Sequence, residues 1–60
     1  MHKFVLLTLV DDAPVIINVS DIASVWPAVN PEHSEVVDFN GECVVVQEEV
    51  KLVFEMIKDV

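Results

Sequence analysis

The sequence has few of the residues that small proteins use to cross-link a fold through disulfides or metal ions, or to build a catalytic centre. A single cysteine, Cys43, excludes an intramolecular disulfide, and two histidines far apart form no recognisable zinc-binding pattern. A single glycine, Gly41, excludes the glycine-rich loops that cradle phosphate groups. The chain has no arginine, and three lysines face eleven acidic residues, for a formal charge of -8. This negative field repels phosphate and disfavours direct binding of nucleic acid.

Long hydrophobic runs are also missing. The apolar stretch at residues 4–10 contains Thr8 and ends at Asp11 and Asp12, whereas a membrane helix requires about 20 apolar residues. No small-residue cleavage site follows it, as a signal peptide would require. The sequence therefore predicts no membrane insertion, no export signal and, with one free thiol, a cytoplasmic location.

Apolar residues are present in excess for so short a chain. Of 60 residues, 53% are hydrophobic, and the mean hydropathy is +0.54. A chain of this length buries only a modest fraction of its surface. We therefore expect a homo-oligomer, a dimer or higher, and a protein partner. The acidic charge either keeps the protein in solution or recognises a basic surface.

The strongest local signal is Asn40-Gly41, a pair typical of a two-residue type I′ turn, between β-forming segments at 35–39 and 42–47. In that register the apolar residues divide between two faces of the hairpin. One face carries Val37, Phe39, Val44 and Val46, and the other carries Val36, Cys43 and Val45. We interpret Cys43 as a small buried hydrophobic residue.

Three further strands are predicted at 3–10, 14–18 and 22–26, with a tight or a wider, bulged turn at Asp11-Asp12. Residues 27–34 read as a loop, and an amphipathic helix follows at 48–58. No repeat or linker divides residues 1–60, which we expect to form one domain. The predicted fold class is α+β, a small antiparallel β-meander of four or five strands followed by one C-terminal α-helix.

Two features indicate where a second chain would bind. The first predicted strand is apolar on both faces, and the helix carries an apolar stripe of roughly 200°, wider than packing on one small sheet requires. Trp26, which precedes Pro27, is either a lid on the core or an interface anchor. The candidate interface residues are Val5, Leu7, Trp26, Leu52, Met56 and Val60.

The order of these segments resembles the FlbD-type small flagellar-operon proteins. The similarity lies in Leu-Thr-Leu-Val-Asp-Asp from Leu7, Val-Ile-Ile-Asn from Val15, Ser-Asp-Ile from Ser20, Phe-Asn-Gly from Phe39 and Val-Val-Val from Val44, followed by the helix. The family usually has an Asn-Gly or Asp-Gly turn where this chain has Asp11-Asp12. The resemblance implies a non-enzymatic accessory role in motility and supplies no catalytic residues.

No set of residues in the sequence predicts an enzyme, a cofactor or a metal site. Ser20 and Asp21 have no nearby base, and His33 lies in a loop that cannot preorganise a triad. We therefore expect a small acidic protein-interaction module that self-associates. The alternative is an acidic inhibitor from a phage or mobile element, which would mimic nucleic acid and bind a basic nucleic-acid-handling protein.

Overall fold

The computed structural model describes residues 3–58. It contains five strands, a 3₁₀ turn and one helix, which confirms the predicted fold class of an antiparallel β-meander followed by a C-terminal helix. The strands and helix begin and end within two residues of the predicted bounds. In chain order they are β1 (Phe4–Thr8), β2 (Pro14–Asn18), the 3₁₀ turn (Val19–Asp21), β3 (Ile22–Pro27), β4 (Ser34–Asp38), β5 (Cys43–Val46) and α1 (Val50–Ile57).

The strands form two antiparallel sheets rather than one continuous meander. β1 pairs with β2, and β3, β4 and β5 pair in that order. A single bridge between Leu9 and Val46, and a 2.7 Å hydrogen bond from the Gln47 amide to the Thr8 carbonyl, connect the end of β1 to the end of β5. These contacts hold the two-stranded sheet against the three-stranded one, so that the two enclose a common core.

The first turn takes the wider of the two forms that the sequence left open. The Leu9 amide donates to the Ala13 carbonyl at 2.8 Å, and Asp12 lies between them with φ of 72°. Aspartate reaches this left-handed conformation more readily than most residues do. Its carboxylate Oδ1 accepts from Gln47 Nε2 at 2.7 Å, which ties the turn to the chain that follows β5.

The second turn corrects the predicted register. Val37 pairs with Cys43, and the loop has three residues, with Gly41 at φ 84° and Asn40 outside the positive-φ region. The cause is Asp38, whose Oδ1 accepts from the backbone amides of Asn40 at 2.9 Å and Glu42 at 3.0 Å. That local bonding stabilises a type I turn followed by a glycine bulge, in place of the type I′ turn.

A slip of one residue exchanges the faces of a strand relative to its partner. Val36 and Val46 are therefore buried together, and the predicted grouping of the hairpin faces was wrong. Cys43 is exposed rather than buried, and Phe39 is 75% exposed. The buried apolar core consists of Val5, Leu7, Val36, Val46 and Val53.

Gly41 provides a direct test of this turn. A Cβ atom at Gly41 would meet nothing within 4 Å, so the alanine in a Gly41→Ala variant clashes with no neighbour. Any loss of stability in that variant then comes from backbone strain alone. We expect the variant to lower the free energy of unfolding by about 1 kcal/mol, because a non-glycine residue is strained at this φ. Urea denaturation measures the change, with Asn40→Ala as the neighbouring control. Equal losses in the two variants would contradict the glycine-bulge turn.

Candidate interaction surfaces

The outward face of the β1–β2 hairpin is mostly apolar, and none of its own side chains is ionisable. Register partners in an antiparallel pair project from the same face. The pairs here are Phe4 with Asn18, Leu6 with Ile16 and Thr8 with Pro14. We call these six residues the hairpin face; three of them, Phe4, Leu6 and Ile16, are 58%, 59% and 69% exposed.

The opposite face of the same strand corrects two of the candidate interface residues. Val5 and Leu7 are only 6% and 0% exposed and belong to the core of this chain. They cannot contact a second chain without unfolding of the first. Both faces of this strand are apolar, as the sequence predicted, but the exposed face is the one that carries Phe4 and Leu6.

Glu48 forms the hydrogen-bonded junction between β1, β4 and α1. Its carboxylate accepts from the Thr8 amide and the Thr8 hydroxyl, both at 2.9 Å. Its carbonyl accepts from the Oγ of fully buried Ser34 at 2.6 Å. Partial burial favours the neutral acid, but the hydrogen bonds from Thr8 and from the Glu48 amide outweigh it and lower the pKa of Glu48 below its usual range.

A groove of about 270 Å³ lies between β2 and the turn end of β4 and β5. Buried and partly buried aliphatic side chains form its floor, and carboxylates stand at its rim. The floor includes Ile17, Ile22, Val36 and Val44, and the rim includes Asp21, Asp38 and Glu42. We call this cavity the acid-rimmed groove. No pattern in the sequence pointed to it, because Asp21 and Glu42 lie near each other only once β3 pairs with β4 at Ile22 and Asp38, and Asp38 pairs with Glu42.

At about 100° per residue the predicted apolar stripe extends around the helix from Leu52 to Phe54 with Val53 at its centre, and the helix packs with that centre while the two edges are exposed. Val53 is fully buried, and Met56 and Ile57 pack against the core. Leu52 and Phe54, one residue to either side of Val53, are 48% and 57% exposed. Leu52 thus remains exposed as an interface candidate requires, Met56 is partly covered by its own chain, and Val60 lies outside the described residues.

Trp26 does not close the core. It is 59% exposed near the end of β3, and its indole Nε1 donates to Ser24 Oγ at 2.8 Å. Of the two roles that the sequence left open, the lid on the core is therefore wrong. Its role as an interface anchor stays a prediction.

Within residues 3–58 no three His, Cys, Asp or Glu side chains are grouped so as to hold a metal ion. In the same part of the chain no helix has the length and apolar character needed to cross a membrane.

No family model matches this sequence, and neither the curated proteins nor the solved structures contain a significant match. The resemblance to FlbD-type proteins therefore rests on the quoted segments alone.

Proposed function

We propose that this protein is a small, cytoplasmic, non-enzymatic interaction module. It self-associates through the hairpin face and binds a protein partner. The observation that carries the proposal is an uncharged apolar surface on a chain with a net charge of -8. Contiguous apolar patches on the surface of a protein mark sites of interaction with other molecules.

The distribution of charge favours a second copy as the occupant of the hairpin face. Two chains of charge -8 repel each other, and the repulsion is smallest where neither surface carries carboxylates. One carboxylate, that of Glu48, is hydrogen-bonded to Thr8 at one end of this face, and there its charge is engaged by the Thr8 amide and hydroxyl. A two-fold axis through the face would bring Leu6 and Ile16 of one copy against the same residues of the other.

Covering this face also stabilises the weaker of the two sheets. A two-stranded hairpin is marginal in water unless another layer packs on it. The inner side of the β1–β2 pair already contacts the core, and a second copy would cover the outer side.

The resemblance to FlbD-type proteins adds an accessory role in motility to this proposal. A second candidate is an acidic inhibitor of a basic nucleic-acid-handling protein, which the charge of -8 and the carboxylates around the acid-rimmed groove favour. Affinity purification from the native cell separates the two. Enrichment of a basic, nucleic-acid-handling protein at low but not high salt supports the inhibitor, and its absence at both removes it.

Self-association is tested by a Leu6→Thr/Ile16→Thr variant, which keeps β-forming side chains while removing apolar surface. By light scattering at tens of micromolar we expect an oligomer for the unmodified protein and a monomer for the variant. Val29→Thr is the matched control, since Val29 is 101% exposed outside the strands. A monomer for the unmodified protein, or an unchanged oligomer for the double variant, would refute the proposal.

A further inference from the structure

We propose that the acid-rimmed groove is a docking site for a basic, apolar segment of the partner protein, in which an aliphatic side chain is flanked by lysine or arginine. This inference rests on the proposed function, because it names the chemistry of the partner that the module serves. It uses a different surface from the hairpin face, apart from Ile16 and Asn18, which border both.

The size and lining of the groove indicate what fits. Pockets that hold whole small-molecule ligands are about 300–1,000 Å³. At about 270 Å³ the acid-rimmed groove lies just below that range, which suits inserted side chains better than a small-molecule ligand. Half of its lining residues are valine or isoleucine. Asn18 and Cys43 also line it, but the Oδ1 of Asn18 already accepts from the Ser20 amide at 3.0 Å, so the inserted side chain would be aliphatic.

The rim determines the charge of the occupant. Asp21, Asp38 and Glu42 contribute three carboxylates, and no lysine or histidine lines the groove. The one ion pair in the part of the chain that the structure describes joins Lys58 to Glu55 on the helix, so no lysine neutralises the rim. Asp21 and Glu42 are exposed, and within residues 3–58 neither side-chain carboxylate accepts a hydrogen bond. A cationic segment is therefore attracted to the rim, whereas an anionic one is repelled.

The same charges argue against the other occupants. A second copy of this chain would bring a further charge of -8 to the rim, and nucleic acid would bring phosphates. A basic segment is the occupant for which both the floor and the rim are complementary.

The test uses a fluorescein-labelled peptide, Lys-Leu-Lys-Leu-Lys, titrated with the full chain and followed by fluorescence anisotropy. An Asp21→Asn/Glu42→Gln variant removes two rim charges while keeping side-chain size, and leaves the turn-forming Asp38 in place. A Glu32→Gln/Glu49→Gln variant changes the net charge by the same amount on exposed residues that do not line the groove. Unfolding midpoints in urea check that both variants are folded.

We expect the rim variant to bind the peptide about two- to thirtyfold more weakly than the unmodified protein, and the control variant to bind nearly unchanged. We also expect Lys-Ser-Lys-Ser-Lys to bind more weakly than the leucine peptide, because it leaves the floor uncovered. Equal losses in the two variants, or equal binding of the two peptides, would reduce the interaction to net charge and overturn the proposal. The proposal is also overturned if the leucine peptide does not bind, or if the rim variant changes the oligomeric mass, which would assign the groove to a second copy.

The two proposals fail separately. Loss of peptide binding in the rim variant with no effect of Leu6→Thr/Ile16→Thr on mass refutes self-association alone. If Leu6→Thr/Ile16→Thr becomes monomeric as expected but the unmodified protein does not bind the leucine peptide, the docking site alone is refuted; peptide binding is read on the unmodified protein because Ile16 also lines the groove.

Discussion

Leu7→Ala is expected to lower the free energy of unfolding by about 2–5 kcal/mol, the range for truncating a buried leucine. Leu7 is fully buried at the centre of the core. Stabilities of about 0.05–0.15 kcal/mol per residue imply about 3–9 kcal/mol for 60 residues. The substitution therefore removes a large share of the total, and the thermal midpoint should fall by at least about 10 °C. Circular dichroism on heating measures it.

Leu6→Ala is the matched control, because Leu6 precedes Leu7 in the same strand but is 59% exposed. At a concentration low enough to keep the chain monomeric, we expect a change within about 0.5 kcal/mol, as for most surface substitutions. Similar losses at the two positions would mean that β1 does not present its odd-numbered residues to the core.

Glu48→Gln is expected to lower the free energy of unfolding by about 1–3 kcal/mol at neutral pH. The Glu48 carboxylate accepts from both the amide and the hydroxyl of Thr8, and bonds to a charged acceptor are the stronger kind. A glutamine side chain offers one oxygen to these two donors. Glu49→Gln is the neighbouring control, because the Glu49 side chain makes no capping hydrogen bond to the helix.

The same residue predicts a dependence on pH. The pKa of Glu48 in the folded chain lies below its usual value of 4.5. Its charged form therefore stabilises the fold above about pH 4.5, and this stabilisation is lost as the pH falls through the folded pKa.

Urea denaturation from pH 7 to pH 3 should show the difference between the unmodified protein and Glu48→Gln shrinking as the solution is acidified. A difference that stays constant over that range would show that the Glu48 charge does not contribute.

Much of the fold was predictable because its signals are local. Alternating apolar residues indicated the strands, and an amphipathic pattern at 48–58 indicated the helix. The register of the second hairpin was not predictable from the Asn40-Gly41 pair. It depends on the two hydrogen bonds that Asp38 accepts within the turn, which compete with the intrinsic preference of that pair.

The sequence predicted that the first strand and the helix would expose apolar side chains, but it identified only some of the residues that do so. Periodicity showed that the first strand is apolar on both sides, yet it cannot say which side the rest of the chain covers. Sheet packing buries Val5 and Leu7 and leaves Phe4 and Leu6 outside. On the helix, packing against the core covers Met56 and exposes Phe54, although both belong to one broad stripe.

The amino-acid sequence alone determined the order and type of the elements, the net negative charge and the surplus of apolar side chains. These properties follow from composition and from the spacing of residues along the chain. Only the tertiary structure decided which apolar face is exposed and that Asp21 and Glu42 border one groove. Each of these depends on contacts that form only when the chain folds, whose free energy no local pattern encodes.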